Sequence, residues 1–176
     1  MDAGKYARAE IERRFLLAGP PDGEHVVRVH DIDDRYIDAT RMRLRRMAEA
    51  GGPTVLKLTQ KLPGPDGQGR LGALTTLYLS EVEYAALAAL PAAPLSKSRL
   101  SIAGYGVDVF RGHLDGLVLA EAEFASVQEA AALRPASFWR AEVTADRRFT
   151  GGELVGASSA QVRAWTAEYG IELVRP

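Results

Sequence analysis

The chain of 176 residues contains no cysteine. Disulfide bonds and thiolate metal sites are therefore excluded, and this composition fits a reducing compartment such as the cytoplasm. No apolar run approaches the roughly 18 residues that span a membrane, and residues 1–8 have no apolar signal core. We therefore expect a cytoplasmic protein with no membrane partner.

An excess of one charge is also missing, because 22 Lys and Arg face 23 Asp and Glu, for a net charge of −1. Such a chain has no bulk attraction for nucleic acid, so we expect no nucleic-acid partner. Any anion site must come from local placement of charge. The three histidines show no metal-ligand spacing, and neither a Ser-His-Asp order nor a P-loop occurs. The sequence leaves open whether the protein forms a homodimer.

The length is typical of one domain, and 47% hydrophobic residues suffice for a core. Because neither a repeat nor a low-complexity linker interrupts the chain, we predict a single domain over residues 1–176. Two stretches rich in Gly and Pro, 19–23 and 63–69, indicate loops. The second is long enough to cover a site as a flap, although an ordinary surface loop is the simpler interpretation.

Most of the remaining chain alternates with period two, and the short intervals between segments favour antiparallel strands. The predicted strands are 8–17, 26–37, 40–47, 54–62, 73–79, 96–103, 107–113, 117–125 and 138–146. Three helices are predicted at 80–90, 126–133 and 158–169. The first two begin with the Ser-x-x-Glu capping pattern, and the third ends before Gly170.

Several predicted strands carry ionisable groups at every second position. Side chains two apart in a strand share one face, so each strand presents a short charged row. Adjacent like charges repel each other and do not stabilise the fold. Arg13 and Arg46 fall on the opposite face, where we expect alanine to be tolerated. The rows are Glu10, Glu12 and Arg14; Arg41, Arg43 and Arg45; Lys57 and Lys61; Lys97 and Arg99; Glu121 and Glu123.

If these rows line one enclosed cavity, they compensate each other and suit a triphosphate with Mg²⁺ or Mn²⁺. A solvated sheet face with cross-strand ion pairs explains any single row, but five rows together favour the cavity. The nine basic candidates exceed the six acidic ones by three charges. The basic set is Arg14, Arg41, Arg43, Arg45, Lys57, Lys61, Lys97, Arg99 and Arg148, and the acidic set is Glu10, Glu12, Asp108, Glu121, Glu123 and Glu142.

On these residues the chain resembles the CYTH superfamily, the triphosphate tunnel metalloenzymes. The run Glu10-Ile11-Glu12-Arg13-Arg14 is similar to the E-x-E-x-K opening of that family. The resemblance covers nearly the whole chain. It continues through Arg41-Met42-Arg43-Leu44-Arg45, Leu58-Thr59-Gln60-Lys61, Lys97-Ser98-Arg99, Val107-Asp108-Val109-Phe110, Glu121-Ala122-Glu123 and the segment 142–149. It implies an α+β fold in which helices pack outside a closed eight-stranded antiparallel β-barrel, the tunnel.

The resemblance also implies metal-dependent hydrolysis of inorganic tripolyphosphate, thiamine triphosphate or a nucleoside triphosphate. Cyclisation of ATP, as in class IV adenylyl cyclases, and capture of polyphosphate or nucleotide without turnover stay open as alternatives. The family's metal carboxylates match Glu10, Glu12, Glu121 and Glu123, and its phosphate-binding residues match Arg41, Arg43, Lys61, Lys97, Arg99 and Arg148. Because of its charge and position, we add Asp108 to the candidate metal ligands. For the same reason we add Arg14, Arg45 and Lys57 to the candidate phosphate-binding residues.

Glu10, Glu12 and Lys97 are the catalytic candidates. The base that activates water is left open among Lys97, water on a second metal ion, and a carboxylate.

Two departures from the family pattern stand out. Arg14 takes the place of the usual lysine, and arginine cannot act as a base because its pKa is too high. The strand before the first helix, 74–79, lacks the glutamates common in the family. One wall of the tunnel is therefore expected to be less acidic.

Overall fold

The computed structural model describes residues 5–63, 71–102, 104–134 and 136–173. Apart from its first residue, the predicted loop 63–69 lies outside the described residues. These residues form nine strands and four α-helices. The strands are β1 (Arg8–Leu17), β2 (Arg28–Ile37), β3 (Met42–Glu49), β4 (Val55–Pro63), β5 (Leu71–Tyr78), β6 (Ala92–Ile102), β7 (Tyr105–Phe110), β8 (Val118–Glu123) and β9 (Trp139–Glu142). The helices are α1 (Glu81–Ala88), α2 (Val127–Ala132), α3 (Gly151–Leu154) and α4 (Ser159–Ala167).

The sheet closes on itself. Its strand order is β5-β4-β3-β2-β6-β7-β8-β1-β9, and β1 also pairs with β5. The first half of β1 pairs with β5, and its second half pairs with β8 on one side and β9 on the other. All pairs are antiparallel, so β1–β8 form the predicted closed eight-stranded barrel, and β9 is an addition at its edge.

Strand ends differ from the prediction where turn residues end the pairing. β6 begins at Ala92, and β9 ends at Glu142, after which the chain turns into a 3-10 helix at Arg147–Phe149. The helix caps follow the sequence. Ser80 and Ser158 form complete capping boxes, and the hydroxyl of Ser126 accepts from the Glu129 amide. Helix α3 was not predicted, since four residues are too few to show a period.

One apolar cluster lies on the outer face of β1, β7 and β8. In it, Phe15 stacks on Trp139 with ring centroids 3.6 Å apart. Arg13 connects α2 to this face, because its guanidinium donates to the carbonyls of Ala130 and Leu133. Helix α2 therefore packs outside the barrel, as predicted.

A second apolar cluster closes one end of the barrel. Leu16, Leu95, Phe110 and Leu119 continue the inward-facing rows of their strands, and they pack against Phe149, Leu154 and Val162 of the C-terminal segment. Gly151, at the start of α3, leaves room for the hydroxyl of Tyr36, with which any Cβ would collide. Apolar residues of the C-terminal segment thus cover one end of the charged lumen. Within the described residues, no helix is long and apolar enough to cross a membrane.

Candidate active site in the barrel lumen

Strand register brings the predicted charged rows together. Residues paired across two strands share a face, and the pairs include Arg14 with Glu121, Arg99 with Asp108, and Arg45 with Lys57. Side-chain ion pairs then connect these rows across the interior. The predicted rows therefore line one lumen and are not a solvated face.

The first group of contacts joins β1 to β4. The Lys61 ammonium lies 2.6 Å from Oε2 of Glu10 and 3.5 Å from Oε1 of Glu12. Burial lowers the pKa of Lys61, but Glu12 and Glu10 outweigh it and hold the pKa above the ordinary value. Gly72 faces Glu10 from β5, and a Cβ there would lie 3.2 Å from Oε2 of Glu10 and from the Leu62 carbonyl oxygen. Because Gly72 has no side chain, the Glu10 carboxylate can lie directly against β5.

Arg14 connects the acids of β1 and β8. Its Nη2 donates to Glu12, and its Nε lies 3.4 Å from Oε1 of Glu121. The side chain is 3% exposed, and among the described residues Nη1 finds no hydrogen-bond partner. Burial, and then Glu121, raise the pKa of Glu12 even though Arg14 and Lys61 oppose the shift. A further cation beside Glu12 would therefore be stabilised.

Asp108 organises the basic row of β6. Its carboxylate is 1% exposed, accepts from Lys97, and accepts from Nε and Nη2 of Arg99 at 2.6 Å each. Arg99 also donates to Glu121. Burial lowers the pKa of Lys97 despite Asp108, whereas Arg99, Lys97 and Arg14 outweigh burial and hold the pKa of Glu121 well below its ordinary value. Gly106 lets Arg99 lie flat on β7, since a Cβ there would be 3.2 Å from its Cδ.

The opposite wall contains an acid that the sequence analysis missed. Asp34 is fully buried, accepts from Nε and Nη2 of Arg45 at 2.6 and 2.7 Å, and lies 3.6 Å from Nε of Arg43. Arg45, with help from Arg43, outweighs burial and lowers the pKa of Asp34. Lys57 shares this wall, where burial and then Arg45 and Arg43 lower its pKa. Asp34 stands alone on its face, between Ile32 and Tyr36, so no i, i+2 charge pattern marked it.

Not every predicted site residue joins this network. Glu142 was predicted as a lumen acid, and this was wrong: it pairs with Phe15 on the outer face, where both its oxygens bind Arg13. The Arg148 guanidinium is held by Asp146 and Glu168 beside α4. Glu123, opposite Glu12, and Arg41, just before β3, are exposed near the ends of the lumen walls.

The donor atoms on the β1–β8 wall suit a divalent cation. They are carboxylate oxygens, which Mg²⁺ and Mn²⁺ prefer. In the part of the chain that the structure describes, no three acidic or histidine side chains converge as metal ligands. Instead, Lys61 joins Glu10 to Glu12, and Arg14 joins Glu12 to Glu121. Arg99 binds Glu121 from β6. The cluster thus fits a cation, and side-chain cations already neutralise it.

Comparison with known proteins agrees with this geometry. No family model matches the chain. An inorganic triphosphatase of Nitrosomonas europaea is 33% identical over 152 residues, which cover 80% of this chain and 92% of that protein. A solved structure of an inorganic triphosphatase is 26% identical with a TM-score of 0.54, covering 84% of this chain and 95% of its own. A solved hypothetical protein is 27% identical with the same TM-score, covering 85% and 99%. The Nitrosomonas triphosphatase is a relative over most of the chain, and the closed barrel and its charged lumen agree with that relationship. The chain therefore belongs to the CYTH superfamily of triphosphate tunnel metalloenzymes.

Proposed function

We propose that the protein hydrolyses a short triphosphate, inorganic tripolyphosphate foremost, with a divalent metal ion in the barrel lumen. The observation that carries this proposal is the excess of cations in the connected lumen, seven against five acids. The cations are Arg14, Arg43, Arg45, Lys57, Lys61, Lys97 and Arg99, and the acids are Glu10, Glu12, Asp34, Asp108 and Glu121. An anion with several charges offsets this surplus.

Unused donor atoms support the same substrate class. Nη1 of Arg14 is buried, and no described residue accepts a hydrogen bond from it. Nε of Arg43 is buried too, and the Asp34 carboxylate beside it, 3.6 Å away, is beyond hydrogen-bond distance. Buried donors without acceptors are unfavourable, and phosphate oxygens satisfy them well. Lys57, surrounded by arginines, likewise gains from a nearby anion. The phosphate chain would therefore lie between the Arg43–Lys57 wall and Arg14.

Glu10, Glu12 and Glu121 would hold the metal, with Glu123 and Asp108 as further predicted ligands. When bound, the ion neutralises the charge that develops on the transferring phosphoryl group. Arg99 is held in place by Asp108 and Glu121 and can bind a phosphate oxygen in the same position throughout the reaction. This preorganisation avoids rearrangement as charge moves.

Lys97 is our candidate for the group that takes a proton from the attacking water. It is buried beside Phe110, with Nζ 5.3 Å from the ring centroid, and burial lowers its pKa. A lysine held in this way loses its proton closer to neutral pH than an exposed one. Arg14 cannot take this part, because Glu121 and Glu12 outweigh burial and raise its pKa further.

The test is to measure products from tripolyphosphate, ATP and thiamine triphosphate with Mg²⁺ and with Mn²⁺. We expect phosphate release, fastest from tripolyphosphate, and no cyclic nucleotide. Cyclic nucleotide with pyrophosphate as the products from ATP would identify a cyclase. Tight binding of tripolyphosphate without turnover under either metal would identify a capture protein.

A further inference from the structure

Lys61 occupies the place between two carboxylates to which a divalent ion is assigned above. Its ammonium contacts both Glu10 and Glu12, 2.6 and 3.5 Å away. On β5, the residue opposite Lys61 is Leu74 and the one opposite Glu10 is Gly72, so at these two described positions the strand supplies no polar side chain that could compete. The two glutamates are therefore the side chains that hold the ammonium.

Lys61 is also the lumen cation best able to leave its partners. Its side chain is 46% exposed, whereas those of Arg14 and Arg99 are 3% and 21% exposed. Both arginines bind two different acids with a rigid planar fork. A lysine is a point charge on a flexible stem, so its ammonium can move several ångströms without disturbing the packing around it.

We propose that Lys61 is an internal competitor of the divalent metal, which neutralises Glu10 and Glu12 in the metal-free protein and is displaced when the metal binds. This inference rests on the proposed function, since it takes these two glutamates as metal ligands. An ammonium and a divalent ion repel each other strongly at contact distance, so the two cannot share the space between the carboxylates.

The displaced ammonium then gives metal binding a second consequence. Lys61 is on the same face of β4 as Thr59 and Lys57, along the wall proposed for the phosphate chain. Once released from the glutamates, it adds a positive charge for the substrate. Metal and triphosphate therefore favour each other's binding, and the metal alone binds more weakly than it would without Lys61.

The experiment measures Mn²⁺ and Mg²⁺ affinity by calorimetry in the absence of any triphosphate. Lys61→Met should bind the metal about tenfold more tightly than wild type, as expected if the competing state holds about nine-tenths of the metal-free molecules. Lys61→Arg, which keeps the charge, should stay near the wild-type affinity. Lys57→Met is the matched control on the same strand and face. It should change metal affinity by less than about twofold, because Lys57 pairs with Arg45 and lies about 13 Å from Lys61 along β4.

Thermal unfolding gives an independent result for the same variants. In EDTA, Lys61→Met should unfold at a lower temperature than wild type, and Mn²⁺ should raise its unfolding temperature more than that of wild type. Unchanged or weaker metal binding by Lys61→Met, in a protein whose wild type binds Mn²⁺ and hydrolyses tripolyphosphate, would overturn the inference and leave the function standing. Absence of metal binding by both proteins would instead overturn the metal-dependent function.

Discussion

Arg14 connects the two strands that carry the lumen glutamates, and it is the residue that departs from the family's lysine. Its guanidinium reaches Glu12 and Glu121 together, which the single ammonium of a lysine does less well. The remaining donor, Nη1, is buried and free of partners among the described residues. The arginine thus combines a structural bridge with one donor for a ligand.

The first prediction compares Arg14→Lys with Arg14→Ala. The lysine variant should keep substantial kcat/KM because the charge persists, whereas the alanine variant should lose about 1.5–3 kcal/mol of transition-state stabilisation. The shape of the pH–rate profile should not change, because Arg14 stays charged throughout the working range. The measurement is kcat/KM against pH for the three proteins. A new basic limb together with a large rate increase in Arg14→Lys would show that a lysine base belongs at this position.

Asp34 gives a second prediction, on stability. Asp34→Asn leaves Arg45 and Arg43 without their buried counter-charge and should cost about 3–5 kcal/mol near neutral pH. The folded-state pKa of Asp34 lies below its ordinary value of 3.8, so its contribution is fully present above that value. It is lost as pH falls through the folded-state pKa, so the two proteins should converge in acid.

Urea unfolding of wild type and Asp34→Asn between pH 3 and 7 tests this. Asp33→Asn is the matched control, because the neighbouring Asp33 is 53% exposed on the outer face, 3.9 Å from Arg46. It should change the free energy of unfolding by less than about 0.5 kcal/mol. Equal losses in the two variants would refute the special role of Asp34.

Among the elements, β1 is held to residues 142–144 by a set of hydrogen bonds, the β1 clamp, which the sequence did not predict. Between its pairings with β5 and β9, the Arg14 amide donates to the hydroxyl of Thr144, and the Arg14 carbonyl accepts from Val143. Thr144 donates in turn to Glu142, which binds Arg13. This chain of contacts positions the strand segment that carries Glu12 and Arg14.

The third prediction therefore adds a difference in stability to the expectation that Arg13 and Arg46 both tolerate alanine. Arg13→Ala removes a two-point ion pair and both carbonyl contacts to α2, and should destabilise the protein by about 1.5–3 kcal/mol. Arg46→Ala should change stability by less than about 0.5 kcal/mol, because the Arg46 side chain is 47% exposed. Chemical denaturation of both variants measures the difference. Equal stability of the two would show that the clamp contributes nothing.

For the molecule as a whole, alternation predicted antiparallel strands with charged rows, and the resemblance to the CYTH superfamily added the closed barrel. Residues such as Arg43, Lys97 and Glu121 recur at period two, and antiparallel pairing brought them to one interior as expected. Alternation does not reveal a lone charge, so Asp34 was missed. Alternation also does not show which face of a strand points inward, which is why Glu142, the last residue of β9, was assigned to the lumen.

The sequence could not predict the apolar closure at one end of the lumen, for a different reason. The segment that closes it consists of a 3-10 turn and two short helices, and its apolar residues pack against the ends of strands far away in sequence. Local periodicity carries no information on such contacts. Only the closed barrel reveals that Leu16, Phe110 and Leu119 face inward and need a cover.

The proposed function requires that the acids of the lumen hold the metal ion with which a triphosphate is hydrolysed. The most direct test is phosphate release from tripolyphosphate as a function of Mg²⁺ concentration by wild type, Glu12→Gln and Asp33→Asn. Glu12→Gln should fold at least as stably as wild type, since burial and Glu121 raise the pKa of Glu12 and the amide removes that unfavourable charge. We predict metal-dependent release by wild type and Asp33→Asn, and almost none by Glu12→Gln. Undiminished release in EDTA, or by Glu12→Gln at limiting Mg²⁺, would show that the lumen acids hold no metal needed for hydrolysis.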